Sequence, residues 1–223
     1  MATLQLFDQL LQYPLFQGMS REDLSQVAGH TKFDFVKFPT GRPVVREDGA
    51  CEHLFFLLSG VLKVESRAHD HSYSVVEQAA APFMVQPEAI FGYNQRYTHT
   101  FTALTDVSLV SIDKSEVVRL SEEFLVFRLN LLNIFATQAQ KKERSYWRMA
   151  PSSLRDHIVR FFTARVLRPA GPKTFYILMT TLAKELNDSR LDVSRELNQM
   201  QRDGLLTLHR GRIEIPQMER LIM

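Results

Sequence analysis

The sequence has a single cysteine and no long apolar run, and both absences exclude whole classes of protein. Cys51 is the only cysteine among 223 residues, so the chain can form neither an internal disulfide nor an iron–sulfur cluster on four thiolates of its own. No apolar stretch approaches the roughly 20 residues that span a bilayer. The start, Met1–Gln5, lacks the basic and apolar segments of a secretion signal. We therefore expect a globular cytoplasmic protein without a membrane partner.

The common fingerprints of nucleotide-binding enzymes and hydrolases are also absent. The sequence contains no Gly-x-Ser-x-Gly, no phosphate-binding loop and no dinucleotide motif. One pattern keeps a metal-dependent cupin-type enzyme as an alternative: His69-Asp70-His71, followed by Glu77, is similar to the cupin His-x-His. The spacing to Glu77 is longer than the cupin pattern, so we predict no catalytic residues and no metal.

The charge of the chain is unevenly divided. Residues 150–223 hold 12 Lys and Arg against 8 Asp and Glu, a net of +4, although the whole chain carries only +2. A basic C-terminal third suggests a nucleic-acid partner. Because +4 is modest, we expect one chain to bind weakly and two copies to act together.

The strongest local pattern predicts two short helices, each with one apolar stripe. The stripe positions are Leu182, Ala183, Leu186, Val193, Leu197 and Met200. Asn187 falls between the helices, where a left-handed residue is needed, and Ser189 caps the second helix with Asp192 as its capping-box partner. Two β-prone runs around Gly211 then predict a hairpin. Two helices followed by a basic hairpin indicate a winged helix-turn-helix, which is a DNA-binding structure.

The rest of the chain divides by its hydrophobic period. Residues 4–29 read as a helical lead, and from residue 33 to about 112 the apolar period is two, which is typical of a β-sandwich or roll. We predict an α+β fold with three parts. Residues 1–113 form a double-stranded β-helix or jelly-roll sensor domain, residues 114–150 a long dimerisation helix with a hinge at Ala150-Pro151, and residues 151–223 the winged helix-turn-helix.

The long helix carries two apolar stripes. A heptad seam consists of Leu125, Leu129, Leu132, Ala136 and Ala139. A second stripe consists of Phe127, Leu131, Ile134 and Phe135. A helix with two stripes can pack twice, so we predict contact with its own roll and with a second copy in a homodimer. A helix buried wholly within one chain is the alternative.

The order of these parts resembles the Crp/Fnr family of bacterial transcription regulators. The resemblance spans nearly the whole chain and rests on Leu15–Ser20, Glu47–Gly49, Leu54–Val64, and Ser189-Arg190 with Val193–Arg195. It implies a sensory roll with the cyclic-nucleotide-binding fold, a dimer on a palindromic DNA site and RNA polymerase as a candidate partner. A dimeric adaptor that does not read sequence stays open as an alternative.

The resemblance also indicates which effector the roll is not expected to bind. Family members that bind cyclic AMP use a Glu for the ribose and an Arg for the phosphate, and alignment on Phe101–Ala103 puts Gln86 and Tyr97 at those positions. In the alternative alignments, a one-residue gap brings Arg96 into register and a two-residue gap brings Glu88. Cyclic AMP is therefore not expected, no cofactor is predicted, and haem is left open without a distinctive axial ligand. If the roll binds an effector, the predicted pocket residues are Phe83, Gln86, Phe91, Tyr93, Tyr97 and Thr98.

The resemblance finally assigns the DNA contacts. Arg190 and Arg195 match the family's base-reading arginines, whereas Leu191 stands where many members carry Glu. We predict that Arg190, Leu191, Ser194 and Arg195 read bases, and that the preferred half-site differs from the commonest one in the family. Predicted phosphate contacts are Thr180, Thr181, Lys184, Ser189, Arg210 and Arg212.

Overall fold

The structure, a computed structural model, describes residues 8–146 and 150–222. The described residues form two compact units. Unit 1 comprises residues 8–62 and 79–146, and unit 2 comprises residues 63–78 and 150–222. Unit 2 thus includes a segment from the middle of the chain, and the domain bounds drawn from the sequence stay predictions.

The described residues of unit 1 form two antiparallel layers and several helices. Its strands are β1 (Asp34–Phe38), β2 (Pro43–Val45), β3 (His53–Ser59), β6 (Phe83–Val85), β7 (Thr100–Ala103) and β8 (Val107–Asp113). One sheet has the order β1-β8-β3-β6, and β2 pairs with β7. Along β3, Leu54 and Phe56 are fully buried, whereas their neighbour Phe55 is partly exposed. The predicted period of two therefore holds from Leu54 to Phe56, because alternate side chains of a strand point to opposite faces. It ends at Leu57, which is also fully buried, where the pairing of β3 with β8 shifts register between Leu57 and Ser59.

The helical lead of unit 1 packs onto the roll. It contains a 3-10 turn (Pro14–Phe16) and α1 (Arg21–His30), which Ser20 caps by accepting a hydrogen bond from the Asp23 amide. Tyr13 stacks edge-on against Phe56 with ring centroids 5.1 Å apart, and its hydroxyl donates to the Leu57 carbonyl at 2.5 Å. The lead is thereby fixed to the sheet by both an aromatic contact and a buried hydrogen bond.

The helical stretch after β8 is two helices and not the single helix that the sequence predicted. They are α2 (Lys114–Glu123), capped by Asp113, and α3 (Leu125–Tyr146). Phe124 between them has an extended backbone, with φ −119° and ψ 108°, and is only 8% exposed. We attribute the break to burial of this ring, a tertiary effect that the absence of Gly and Pro does not reveal.

The two apolar stripes of α3 lie in different environments. Phe127 and Leu131 are buried, and the Phe127 ring lies 5.6 Å from that of Phe16. The heptad seam is uncovered in the single chain, where Leu125, Leu129 and Leu132 are 57%, 49% and 55% exposed and Ala136 and Ala139 are exposed as well. One stripe therefore packs on the roll, as predicted, and the other is open.

The described residues of unit 2 contain the helix-turn-helix and a sheet of five strands. Its elements after residue 150 are α4 (Leu154–Thr163), β9 (Lys173–Tyr176), α5 (Met179–Leu186), α6 (Arg190–Arg202), β10 (Thr207–His209) and β11 (Arg212–Ile215). The other two strands are β4 (Val61–Arg67) and β5 (Ser74–Ala80). They form a hairpin, of which residues Lys63–Gln78 belong to unit 2. The strand order of the sheet in this unit is β10-β11-β9-β5-β4. Short 3-10 turns occur at Pro87–Ala89 in unit 1 and Met218–Leu221 in unit 2. Among the described helices of both units, none is long and apolar enough to cross a bilayer.

Candidate nucleic-acid interface

Local sequence sets the geometry between α5 and α6. Asn187 adopts the left-handed conformation, with φ 52° and ψ 45°, and ends α5 as predicted. The Ser189 hydroxyl accepts a hydrogen bond from the Asp192 amide at 3.0 Å and donates to the Asp192 carboxylate at 2.6 Å. This cap starts α6 at Arg190, and the predicted helix-turn-helix is therefore formed. The Ser189 amide donates to the Asp188 carboxylate at 2.7 Å, and not to Asp192 as the predicted capping box requires.

The helix α6 separates its buried and exposed sides cleanly. Val193, Leu197 and Met200 are fully buried, as their spacing predicted. The predicted base-reading residues lie on the other side: Arg190, Leu191 and Arg195 are exposed, and Ser194 is partly exposed. Leu191 is 68% exposed, which is unusual for a large apolar side chain and suits contact with a partner.

Asn198 extends this face and was not identified from the sequence. It is exposed one turn after Ser194, and its side-chain amide donates to the Ser194 carbonyl at 2.7 Å. Its spacing of four from Ser194 and eight from Arg190 would have found it, because residues so spaced share one helix face.

Arg195 is held by a partner that it can exchange. Its guanidinium lies 2.8 Å from the Asp192 carboxylate, and the two side chains are 69% and 48% exposed. Ion pairs this exposed contribute about 0–1 kcal/mol. A guanine edge or a phosphate could therefore replace Asp192 at small cost.

The start of α5 leaves backbone amides without a side-chain cap. Leu178 occupies the N-cap position and makes no side-chain hydrogen bond to the helix, unlike Ser189 at the start of α6. Thr180, Thr181 and Lys184 follow Leu178 on the same helix. Thr180 and Lys184 are exposed, and Thr181 is partly exposed. Uncapped amides at the positive end of a helix favour an anionic group such as a phosphate.

The two arginines of the wing differ in their surroundings. Arg210 is exposed in the turn beside Gly211, which has φ +73°. The Nε of Arg212 lies 3.1 Å from the Glu214 carboxylate, which also pairs with His209 at 3.3 Å. Arg210 is thus presented outward, while Arg212 must leave Glu214 to reach a phosphate.

In the roll, Gln86 occupies a closed position. Its side chain is 5% exposed, and its backbone is left-handed, with φ 37° and ψ 60°. The amide oxygen accepts from the Thr98 and His99 amides at 3.0 and 3.2 Å, and the amide nitrogen donates to the Thr98 hydroxyl at 2.7 Å. Gln86 therefore holds the segment that precedes β7 and has little capacity left for a ligand hydroxyl.

The other predicted pocket residues, Phe83, Phe91, Tyr93 and Tyr97, lie in different local environments. Tyr97 is 3% exposed and donates to the His53 carbonyl at 3.0 Å, and burial raises the pKa of its hydroxyl. Tyr97 lines a shallow cavity of about 390 Å³, whereas Tyr93 is fully exposed and lines a separate one of about 460 Å³. Phe83 packs near Phe101, and Phe91 packs near Phe135. Neither of these two cavities is lined by Phe83, Gln86, Phe91 or Thr98. The effector site therefore stays a prediction.

The side chains with potential redox or metal chemistry are Cys51, His69, His71 and Glu77, and they differ in their exposure. Cys51 is buried, and burial raises the pKa of its thiol, which disfavours the reactive thiolate. His69 and His71 are exposed in the turn between β4 and β5, whereas Glu77 is buried and paired with Lys173. Across residues 8–146 and 150–222, no group of three His, Cys, Asp or Glu side chains could hold a metal ion.

Comparisons with protein families match both halves of the chain. The model of the cyclic nucleotide-binding domain matches residues 35–124, and the model of the Crp-like helix-turn-helix domain matches residues 158–223. No curated protein matches the chain.

Solved structures share the fold at low sequence identity. The catabolite activator protein of Thermus thermophilus is 17% identical, with 94% of this chain and 97% of that chain covered and a TM-score of 0.55. The sensor domain of the transcriptional regulator DNR from Pseudomonas aeruginosa is 18% identical, covering 69% and 99%, with a TM-score of 0.55. The N-terminal domain of a transcriptional regulator from Streptomyces coelicolor A3(2) is 18% identical, covering 66% and 100%, with a TM-score of 0.52.

Proposed function

The chain belongs to the Crp/Fnr family of DNA-binding transcription regulators, and from this premise we propose that it binds a palindromic DNA site as a homodimer. The family consists of regulators and not of enzymes, so the cupin-type alternative is set aside. The observation that carries the proposal is the exposed face of α6, which presents Arg190, Leu191, Ser194 and Arg195 while its other face is buried.

This face has the chemistry of a major-groove reader. Arg190 and Arg195 are exposed on the first two turns of α6, and arginine pairs with the O6 and N7 atoms of guanine through two hydrogen bonds. Leu191 cannot accept a hydrogen bond from a base, but it can contact the methyl group of thymine. We therefore propose a half-site that differs from one read by a Glu at this position.

The surrounding groups suit contacts with the DNA backbone. The uncapped start of α5, with Thr180, Thr181 and Lys184, offers amides, hydroxyls and a cation to a phosphate. Ser189, Arg210 and Arg212 are the further proposed phosphate contacts. Arg210, at the outward turn of the wing, is the best placed of the two wing arginines.

The proposed dimer uses the open seam of α3. Three leucines of the seam are each about half exposed although they repeat with heptad spacing, and the exposed Ala136 and Ala139 allow close approach of a second helix. Two copies would also double the modest +4 charge of the DNA-binding end. A twofold pair would present two reader helices about 34 Å apart, one turn of DNA.

We propose that the roll responds to an input other than cyclic AMP. Gln86 and Tyr97 stand where the family's cyclic AMP ligands stand, and both side chains are turned to internal hydrogen bonds. A small-molecule effector of another chemistry is the remaining proposal for this domain, with RNA polymerase as a proposed partner of the DNA-bound dimer in the cytoplasm.

Selection of bound fragments from random DNA by the full chain tests the function directly. A regulator enriches a palindrome, whereas an adaptor that does not read sequence enriches none. On the selected site, Arg195→Ala should cost about 1–3 kcal/mol and relax one base position, while Arg212→Ala should weaken all sites alike and lower the salt slope by about one.

Arg21→Ala serves as the matched control, because Arg21 is exposed in unit 1 and its loss changes the net charge equally. Equal weakening on every sequence by Arg195→Ala, as is expected of Arg212→Ala, would contradict the base-reading role of Arg195.

The dimer has its own test. Leu129→Glu places a charge in the centre of the seam and should convert the protein to a monomer in sedimentation velocity, with loss of tight binding to the palindrome. Leu104→Glu is the control, since Leu104 is 40% exposed outside the seam. A Leu129→Glu protein that remains dimeric would contradict the seam.

A further inference from the structure

We propose that the docked hairpin, residues Lys63–Gln78, is a working part of the DNA-binding unit, and that Arg165 positions the helix-turn-helix through it. Arg165 is then a positioning residue for DNA recognition and touches no DNA itself. The inference rests on the proposed sequence-specific binding and adds a determinant outside the winged helix-turn-helix.

The docked hairpin extends the sheet of the winged domain. Its strand β5 pairs antiparallel with β9, in the register Ser74↔Tyr176, Val75↔Phe175, Val76↔Thr174 and Glu77↔Lys173. Val75 is 1% exposed and belongs to the same apolar core as Ile158, Phe161, Phe162 and Phe175. The core beneath the helix-turn-helix is therefore completed by a residue about 100 positions earlier in the chain.

A buried ion pair fixes the register of this pairing. Glu77 and Lys173 are each 3% exposed, with their charged atoms 3.1 Å apart. The remaining oxygen of Glu77 accepts from the Leu167 amide at 2.7 Å, and Lys173 donates to the Ala170 carbonyl at 2.8 Å. A shift of β5 along β9 would separate two buried charges, which is strongly unfavourable, so one alignment is favoured over the others.

Arg165 links the docked hairpin to the first helix of the helix-turn-helix. Its Nε donates to the Tyr73 hydroxyl at 2.6 Å, and its Nη2 donates to the Glu185 carboxylate on α5 at 2.9 Å. The guanidinium also lies 3.8 Å from the centre of the Phe161 ring. A planar fork can hold both partners and stack at once, which an ammonium group cannot do.

This link ends beside the predicted DNA contacts. Glu185 follows Lys184 on α5, and Asn187 turns the chain into the reader helix two residues later. Because α5 is only eight residues long, a shift at Glu185 moves both its uncapped start and the turn. The orientation of the reader thus depends on the contact between Arg165 and the docked hairpin.

The first test compares Arg165→Lys with wild type in the full chain, on the DNA site that wild type selects. Affinity should fall about tenfold, and discrimination against a single substituted base pair should fall too, because a tilted reader loses its base contacts. The salt slope should stay unchanged. Arg220→Lys, an exposed residue of the same unit, is the matched control and should behave as wild type.

Thermal unfolding followed by circular dichroism gives the midpoint temperature of each variant. Binding is then measured well below that temperature, so that every variant is folded. Tyr73→Phe keeps the ring and removes only the hydroxyl, so a smaller loss of about two- to threefold is expected. Wild-type affinity and discrimination in Arg165→Lys would overturn the inference alone. Arg165→Met removes the charge and should leave the salt slope unchanged, and a slope lowered by about one would also overturn the inference, since Arg165 would then contact phosphate itself. Failure of wild type to select any site would overturn the proposed function and this inference together.

A cross-link tests whether the docked hairpin stays in place when DNA binds. Val76→Cys with Thr174→Cys, in a Cys51→Ala background, puts two thiols at directly paired positions of β5 and β9. The oxidised protein should bind DNA within about twofold of its reduced form. Loss of binding on oxidation would mean that the pairing must open, and failure of the disulfide to form would mean that the strands are not neighbours; either result overturns the inference.

Discussion

The reader helix α6 and the Gln86 region of the roll use polar side chains in opposite ways. On α6, Arg190 and Arg195 are exposed, and the one ion pair among the base-reading residues is weak and open to exchange. In the roll, Gln86 is buried with three hydrogen bonds to Thr98 and His99. The comparison shows a DNA-binding surface that is ready for a partner and a ligand position that is already satisfied by the protein.

The largest effect is expected on the free energy of unfolding when Gln86 of the roll is replaced. Gln86→Ala removes a buried side chain and three hydrogen bonds, and leaves the amides of Thr98 and His99 without their acceptor. It should lower the free energy of unfolding by about 2–4 kcal/mol. Chemical denaturation measures this loss, and Gln26→Ala on the exposed face of α1 is the control. A decrease of less than about 0.5 kcal/mol in the free energy of unfolding would show that the hydrogen bonds of Gln86 contribute little to stability. The contrast between Gln86 and the exposed side chains of α6 would then not hold.

The next effect concerns the reader. Leu191→Glu gives the exposed position an acceptor for a cytosine amino group, and should change the preferred base at one position by about 1–3 kcal/mol with unchanged stability. Binding to a panel of sites with single substitutions measures the change. An identical site preference in both proteins would mean that Leu191 does not face a base.

A pH effect distinguishes the two regions further. Burial, together with the positive charge of Lys142, lowers the pKa of His99 to about 4, against about 6.5 in an unfolded chain. The unfolded state therefore binds more protons between these values, so the stability is complete above pH 6.5 and is lost as the pH falls toward 4.

His99→Gln should remove this dependence, whose slope is at most about 1.4 kcal/mol per pH unit. Unfolding free energies measured from pH 4 to 7 would show it, and an unchanged slope in the variant would assign the acid sensitivity to another group.

The smallest effect should come from cyclic AMP. A ligand at 100 times its Kd raises the free energy of unfolding by about 2.7 kcal/mol, and the midpoint temperature of thermal unfolding rises with it. At millimolar cyclic AMP, we expect no change in the midpoint temperature of this protein. A clear upward shift would mean that Gln86 and Tyr97 rearrange to admit the nucleotide.

The features that the sequence predicted are those determined by neighbouring residues. The left-handed turn at Asn187, the Ser189 cap and the period of two in β3 each depend on a few adjacent positions. The break at Phe124, the closed environment of Gln86 and the docking of Lys63–Gln78 depend on residues far apart in the chain. Periodicity and capping rules do not carry that information.

The docked hairpin also affects how such regulators can be recombined. A fragment beginning near residue 150 would lack Val75 from its core and Glu77 from beside Lys173, leaving an apolar gap and a buried charge without its counter-ion. Chimeras that join the winged domain of one family member to the roll of another should therefore carry the hairpin of the winged domain with it. For this chain, the exchangeable module is discontinuous in sequence.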